Sequence, residues 1–157
     1  MSYTVRQLGE NESSVMRALA NACPPLDLHT PYTYWVISKF FSDWCFVLEY
    51  DKVTVGFLMA LCRDNTVFLW QIGILTEHRG QGCSGLLYQA LMDRVESTDR
   101  DTVLVTIADG NQSSRSSLES FCRKTELVME RLESVEVTDL VDADFSEIET
   151  LYRITKA

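Results

Sequence analysis

The hydrophobic pattern is sharpest in the middle of the chain. Residues 67–75, VFLWQIGIL, are almost all apolar and rich in strand formers, and the polar Thr76, Glu77 and His78 follow. Such a run predicts a largely buried strand. After the segment RGQGCSG (residues 79–85) the apolar positions become Leu86, Leu87, Ala90, Leu91 and Val95. That spacing predicts a helix over residues 81–97. Upstream, residues 3–8 alternate as a first strand and residues 9–12 make a turn. Asn11 or Ser13 is placed to cap a helix over residues 14–22, whose buried stripe is Val15, Leu19 and Ala22. Cys23-Pro24-Pro25 ends it. Thr30 before Pro31 reads as an N-cap with proline at the first helical position. The helix it starts reaches about Phe41, with Tyr34, Ile37 and Phe41 along one side. Residues 44–50 and 54–62 read as strands of a hairpin turning at Asp51-Lys52, and Asp64-Asn65 turns into the strand 67–75. These three strands form an antiparallel meander.

Beyond the central helix, residues 102–107 (TVLVTI) are short and β-branched, which suits a crossover into a buried strand. Asp109-Gly110-Asn111 is a turn, and residues 113–124 a helix with Leu118 and Phe121 inward. Residues 127–137 fit neither period cleanly. Residues 141–145 form an acidic connector, and residues 148–154 a closing strand. The chain is therefore a mixed α/β protein in the order β, α, α, β, β, β, α, β, α, then residues 127–137, open between strand and helix, then β.

The 157 residues fit one domain, 1–157, with room for a core. A net charge of −9 argues against nucleic acid and anionic membranes as partners. It reads first as a solubility charge, and second as an acidic mouth for an amine, which requires clustering. Five cysteines without a CxxC pair argue against a zinc site or a disulfide framework. Reduced cytoplasmic thiols are the simpler account. No signal peptide or membrane-spanning run is visible. The chemistry must then come from the centre. A strand entering a glycine-rich loop that opens a helix suits an anion, because free N–H groups and the helix dipole both favour negative charge there. Neither GxxxxGK[ST] nor a fitting GxGxxG is present, so the loop is neither a P-loop nor a dinucleotide fingerprint.

Arg79, Gly82 and Ser84 instead occupy the three specified positions of [RQ]xxGx[GA], the acyl-CoA loop of the GCN5-related N-acetyltransferases, with Ser84 where Gly or Ala is usual. The chain resembles that family over its whole length. The resemblance implies a central mixed sheet of about six or seven strands, flanked by about four helices, whose fourth and fifth strands splay to admit acetyl-CoA. Residues Arg79, Gly80, Gln81, Gly82, Cys83, Ser84 and Gly85 would hold the pyrophosphate. Backbone N–H groups of Ile72, Gly73 and Ile74 would line the pantetheine arm and polarise the thioester carbonyl. Gly73 fits the bulge the family carries in this strand. Cys83 occupies a packing position in the loop motif, not that of a nucleophile.

Four further pieces, LDLHTPYTY (26–34), FLWQIGI (68–74), TIADGNQSS (106–114) and ETLYRI (149–154), resemble the L-2,4-diaminobutyrate acetyltransferases of ectoine biosynthesis. His29 stands where Asn is usual, and Ala108-Asp109-Gly110 replaces Thr-Pro-Asp. This resemblance implies that Asp27, Tyr32, Trp70 and Glu149 line an amine pocket and that Asn111 lies beside the CoA arm. Asp27 and Glu149 are the candidate acid–base carboxylates, and Tyr32 a candidate acid. The tyrosine many acetyltransferases carry seven residues after the turn asparagine is here Leu118. Direct attack in a ternary complex, no metal and a homodimer are also implied. Three alternatives stay open: another small amine, a peptide N-terminus, or a non-catalytic acyl-CoA sensor. Each of the residues also has an ordinary structural explanation, as a turn, cap, core aromatic or exposed strand carboxylate.

Overall fold

The computed structural model describes residues 2–135 and 148–157. Its elements are β1 (Tyr3–Gln7), α1 (Ser13–Asn21), α2 (Pro31–Phe41), β2 (Phe46–Tyr50), β3 (Val53–Arg63), β4 (Thr66–Ile74), α3 (Cys83–Ser97), β5 (Thr102–Ala108), α4 (Gln112–Lys124), β6 (Leu127–Val135) and β7 (Glu149–Lys156). One seven-stranded sheet runs β1-β2-β3-β4-β5-β7-β6. All neighbours are antiparallel except β4 and β5, which are parallel because α3 crosses over between them. The β2–β3 hairpin turns where expected. Asp51 and Lys52 both have positive φ, 51° and 65°, as the tightest right-twisted hairpin turn demands.

Two apolar layers cover the sheet. On one face, Leu58, Ala60, Val67, Leu69, Val103, Val105, Ile107, Tyr152 and Ile154 lie under α3 and α4, which contribute Leu87, Tyr88, Leu91, Val95, Leu118 and Cys122. On the other face, Leu8, Cys45, Val47, Phe57 and Met59 lie under Met16, Leu19 and Ala20 of α1 and Tyr34 and Ile37 of α2. The stripe of α1 is thus rotated from the expected Val15, Leu19 and Ala22. Met16 is fully buried and Ala22 is exposed. The helix has no side-chain cap from Asn11 or Ser13. Glu12 holds the cap position, but its carboxylate accepts from Gly9 N (2.8 Å) and from Arg6. The cap of α2 is as expected, with Thr33 N donating to Thr30 Oγ1 at 3.2 Å ahead of Pro31.

Residues 127–135 resolve into a strand. Their mixed period has a physical cause: β6 edges the sheet, and a register shift between Arg131 and Glu133 breaks the alternation. The expected acidic connector, residues 141–145, lies outside the described residues, as do 136 and 137.

Candidate functional site

The sheet opens at its centre. β4 and β5 pair from Thr66/Thr102 to Leu69/Val105 and no further, although β4 continues to Ile74 and β5 to Ala108. The break coincides with a bulge. Met59 is opposite Gln71 and Ala60 is opposite Leu69, so Trp70 is the extra residue in β4. The bulge therefore sits at Trp70, not at Gly73 as the sequence suggested. It also puts Trp70 and Ile72 on opposite faces of the sheet. Trp70 and Gln71 both turn to the α1/α2 face, where Trp70 meets His29 (ring centroids 5.0 Å apart) and Gln71 meets Tyr34.

Past the bulge, the main chain has two sides. Leu75 N donates to Val55 O across to β3, whereas Ile74 O accepts from Arg79 Nε at 2.9 Å. Because main-chain groups alternate along a strand, Gly73 presents its N–H to β3 and Ile72 and Ile74 present theirs to the gap. Gly73 serves close approach instead. A Cβ there would lie 2.9 Å from the Phe57 ring and 3.2 Å from both Cys23 Sγ and Leu26 Cδ2, so the segment after α1 rests directly on the strand.

Below the gap comes the loop. Gly80 and Gly82 have φ of 76° and 77°, with nothing within 4 Å of either would-be Cβ. These glycines are required by backbone conformation and not by crowding. The helix starts at Cys83, so Gln81 and Gly82 stay in the loop. The Tyr3 hydroxyl lies 2.8 Å from His78 Nδ1 and 3.1 Å from Gln81 Oε1, which anchors the loop to β1. Cys83 is buried, and desolvation pushes its thiol pKa upward, the opposite of an activated nucleophile. Ser84 is bonded to Ser117 of α4, and Gly85 faces Phe121. Arg79 is exposed, its Nε held on Ile74 O. A loop of this shape, with an arginine and a 15-residue helix behind it, suits a polyanion such as a pyrophosphate. The unpaired strand edge above it suits an amide-bearing chain, so acetyl-CoA fits the two together.

The polar residues expected on the amine side come from separate elements. Asp27 is exposed in the segment between α1 and α2, and its main-chain carbonyl accepts from Gln71 Nε2 at 2.6 Å. Glu149 opens β7 opposite Ala108, the last residue of β5. Tyr152 and Ile154 face α3 and α4, so the two-residue alternation of β7 turns half-buried Glu149 to the face that carries Trp70 and Gln71. Tyr32 is 71% exposed and stacks on Trp35 at the start of α2. It stands apart from the buried Tyr34–Gln71 network. Asn111 caps α4, its Oδ1 accepting from Ser114 N at 3.2 Å, and its NH2 group is the donor left for a ligand. Leu118 is buried in the core and supplies no acid.

Sequence reasoning missed Gln71 and Tyr34 as partners. One signal was available: an amide inside an apolar strand must find hydrogen bonds, and a tyrosine on the buried side of the preceding helix is an obvious donor. Among the described residues, no three His, Cys, Asp or Glu side chains gather as a metal site requires. No helix among them is long and apolar enough to cross a membrane.

Comparison with known proteins agrees with this geometry. Residues 14–122 match the acetyltransferase (GNAT) family. The L-2,4-diaminobutyric acid acetyltransferase of Marinococcus halophilus is 31% identical over 132 residues, covering 82% of this chain and 76% of that protein. The diaminobutyrate acetyltransferase EctA of Paenibacillus lautus, solved with L-2,4-diaminobutyric acid and coenzyme A, superposes with a TM-score of 0.88 at 22% identity, covering 98% of this chain and 95% of the other. The ribosomal-protein-S18-alanine N-acetyltransferase of Escherichia coli superposes at 0.78 with 14% identity, covering 99% and 96%, which shows the shared fold. The chain belongs to the acetyltransferase (GNAT) family and is related within it to the L-2,4-diaminobutyric acid acetyltransferases.

Proposed function

We propose that the protein transfers an acetyl group from acetyl-CoA to the side-chain amine of L-2,4-diaminobutyrate. What supports this reading is the open edge of β4 above the glycine loop, with Asp27 on the segment tied to β4 and Glu149 at the start of β7, one strand beyond β5, on the same face of the sheet as Trp70. The relation to the Marinococcus enzyme names the substrate.

Acetyl-CoA supplies an activated acetyl group on a thiolate leaving group. The protein has three tasks around it. First, Arg79 and the N–H groups of Gly80, Gln81, Gly82, Cys83, Ser84 and Gly85 hold the pyrophosphate at the start of α3. Second, the N–H groups of Ile72 and Ile74 face the gap, where they pair with the pantetheine arm and donate to the acetyl oxygen as negative charge develops on it. Third, the amine must be made nucleophilic. An alkylammonium has a pKa near ~10, so at neutral pH it arrives charged. Asp27 binds the cation beside Trp70, and Glu149 accepts its proton, directly or through one water. The nitrogen then attacks the acetyl carbon, the carbon–sulfur bond breaks, CoA leaves as thiolate, and the second proton that the nitrogen sheds on becoming an amide passes to water. Asn111 donates from its amide beside that sulfur. Tyr32, the remaining candidate acid, reaches the site only by leaving its stack on Trp35. No acetyl-enzyme forms.

A cytoplasmic setting fits five cysteines that are all free. The test is thiol release from acetyl-CoA with L-2,4-diaminobutyrate, ornithine, lysine, putrescine and a peptide N-terminus as acceptors. Diaminobutyrate is expected to have the highest kcat/KM. Equal rates for all four amines, or reaction only with the peptide, rejects the substrate. Acetyl-CoA binding without turnover of any acceptor makes the chain an acyl-CoA sensor.

A further inference from the structure

Gln71 is polar, only 4% exposed, and lies inside the apolar run 67–75. Both ends of its amide are hydrogen-bonded. Tyr34, with no exposed surface, donates its hydroxyl to Gln71 Oε1 at 2.9 Å, and Gln71 Nε2 donates to the main-chain carbonyl of Asp27 at 2.6 Å. The Tyr34 hydroxyl in turn accepts from His29 N at 3.4 Å. A helix, a strand and the intervening segment are thus joined by a relay whose donors and acceptors all match.

The bulge is what makes the relay possible. In a regular strand Gln71 would share the face of Leu69, under α3 and α4, where only apolar side chains would meet it. The extra residue, Trp70, reverses that and delivers Gln71 beneath Tyr34. One irregularity therefore opens the sheet on one side and anchors the Asp27 segment on the other. That segment's hydrogen bonds from Leu26 N to Cys23 O and from Arg17 Nε to His29 O stay on the helix side; apolar contacts of Cys23 and Leu26 with Gly73 and of His29 with Trp70 seat it on β4, and the Gln71 bond is the polar tie at Asp27 itself.

We propose that Gln71 is a positioning residue for amine recognition: with Tyr34 it fixes the main chain of Asp27 against β4 and so places the Asp27 carboxylate at the gap. The proposal deepens the diaminobutyrate reading and rests on it for the identity of the amine. Gln71→Leu removes both hydrogen bonds at similar volume. Tyr34→Phe removes only the hydroxyl and serves as the second variant should Gln71→Leu misfold.

Two measurements separate the tie from the function. Amide hydrogen exchange over residues 26–30, read on the protein without substrate, is expected to rise about 5- to 100-fold in both variants, the span expected when buried polar partners are left unmade. KM for diaminobutyrate is expected to rise over the same range, while KM for acetyl-CoA and kcat at saturating amine stay within about threefold. A residue that merely stabilises the fold would not divide the two substrates in this way. Unchanged exchange in both variants overturns the proposal. So does raised exchange with an unchanged amine KM. A wild-type protein that acetylates no diamine sinks the functional reading instead, and the exchange result then decides the tie by itself.

Discussion

Ser84 Oγ lies 2.9 Å from Ser117 Oγ, joining the first turn of α3 to the middle of α4. The side chain that departs from the usual small residue of the acyl-CoA loop is therefore a helix-to-helix link. Ser84 already has helical backbone, while the positive-φ positions of the loop are Gly80 and Gly82. Replacing it with glycine relieves no strain. Ser84→Gly is expected to lower stability by about 1–2 kcal/mol, the sum of one modest hydrogen bond and the entropy of a helical glycine. Acetyl-CoA affinity should stay within about threefold, because the loop N–H groups are untouched. Urea denaturation and calorimetry measure the two effects separately. A loss of CoA affinity beyond tenfold would make the hydroxyl a ligand.

Gly82 separates conformation from space. Its φ is 77°, yet a Cβ would meet nothing within 4 Å. Gly82→Ala is expected to cost about 1–2 kcal/mol, the penalty of a left-handed residue with a Cβ, and to weaken acetyl-CoA binding. Gly82→Asn should recover part of both, since asparagine tolerates this region. Arg79→Ala is expected to leave folding intact and to weaken acetyl-CoA by about 1.5–3 kcal/mol, the worth of hydrogen bonds to a charged group. Equal losses for Ala and Asn at position 82 would mean that bulk, not backbone, is excluded there.

How much of this was legible in the chain depends on which interactions decide each element. The order of strands and helices follows from local pattern except at residues 127–137, and the turn at Asp51-Lys52 and the helix start at Thr30-Pro31 follow from residues that dictate their own geometry. The α1 stripe did not follow, because Met16 and Val15 are equally apolar and only the distant β2 and β3 select between them. The family resemblance implies a bulge in β4, and Gly73 suits one because glycine is the usual local sign of an irregular strand. Pairing with β3 puts it at Trp70, a residue with no such signature, and Gly73 turned out to be required by Phe57, Cys23 and Leu26. The loop glycines were readable because positive φ is a property of the residue itself. The Gln71–Tyr34 relay was not, because a register displaced by one residue separates a buried amide from its partners.

The cysteines give a pH-dependent prediction. Burial pushes the Cys45 thiol up to about 12 and the Cys122 thiol up to about 11, from an ordinary value of 9.0. In the native state both stay protonated near neutrality, and thiolate is the reactive form. Alkylation at pH 8 is therefore expected to label half-buried Cys62 first and to reach Cys45 and Cys122 only through unfolding. The linkage has one sign. Between about pH 9 and these raised values the unfolded chain has lost protons that the native one keeps, so stability falls as pH rises through that window. Mass spectrometry of timed alkylation and denaturation between pH 8 and 10.5 test both parts. Rapid native labelling of Cys45 would contradict its burial.

Asp27 and Glu149 are expected to fail differently. Glu149 lies on a paired strand, its main chain fixed between Ala108 of β5 and Val135 of β6. Asp27 lies on an exposed segment anchored through its carbonyl. If Glu149 takes the proton, Glu149→Gln keeps shape and strand pairing but removes the base. Then kcat/KM is expected to fall by about 10²–10⁴, the usual span for general base catalysis, with acetyl-CoA affinity preserved. Raising the pH should recover part of the loss, because more of the amine then arrives already neutral near its own pKa of about 10. Asp27→Asn removes a charge that binds the cation before reaction, so KM for the amine should carry most of its effect. The two profiles distinguish the roles: pH rescue of kcat for Glu149→Gln, and for Asp27→Asn a KM defect against wild type that narrows at high pH because the wild-type KM rises, since a neutral amine gains nothing from a cation site in either protein. Reversed profiles would exchange the two assignments, and an undiminished Glu149→Gln enzyme would place the proton acceptor elsewhere.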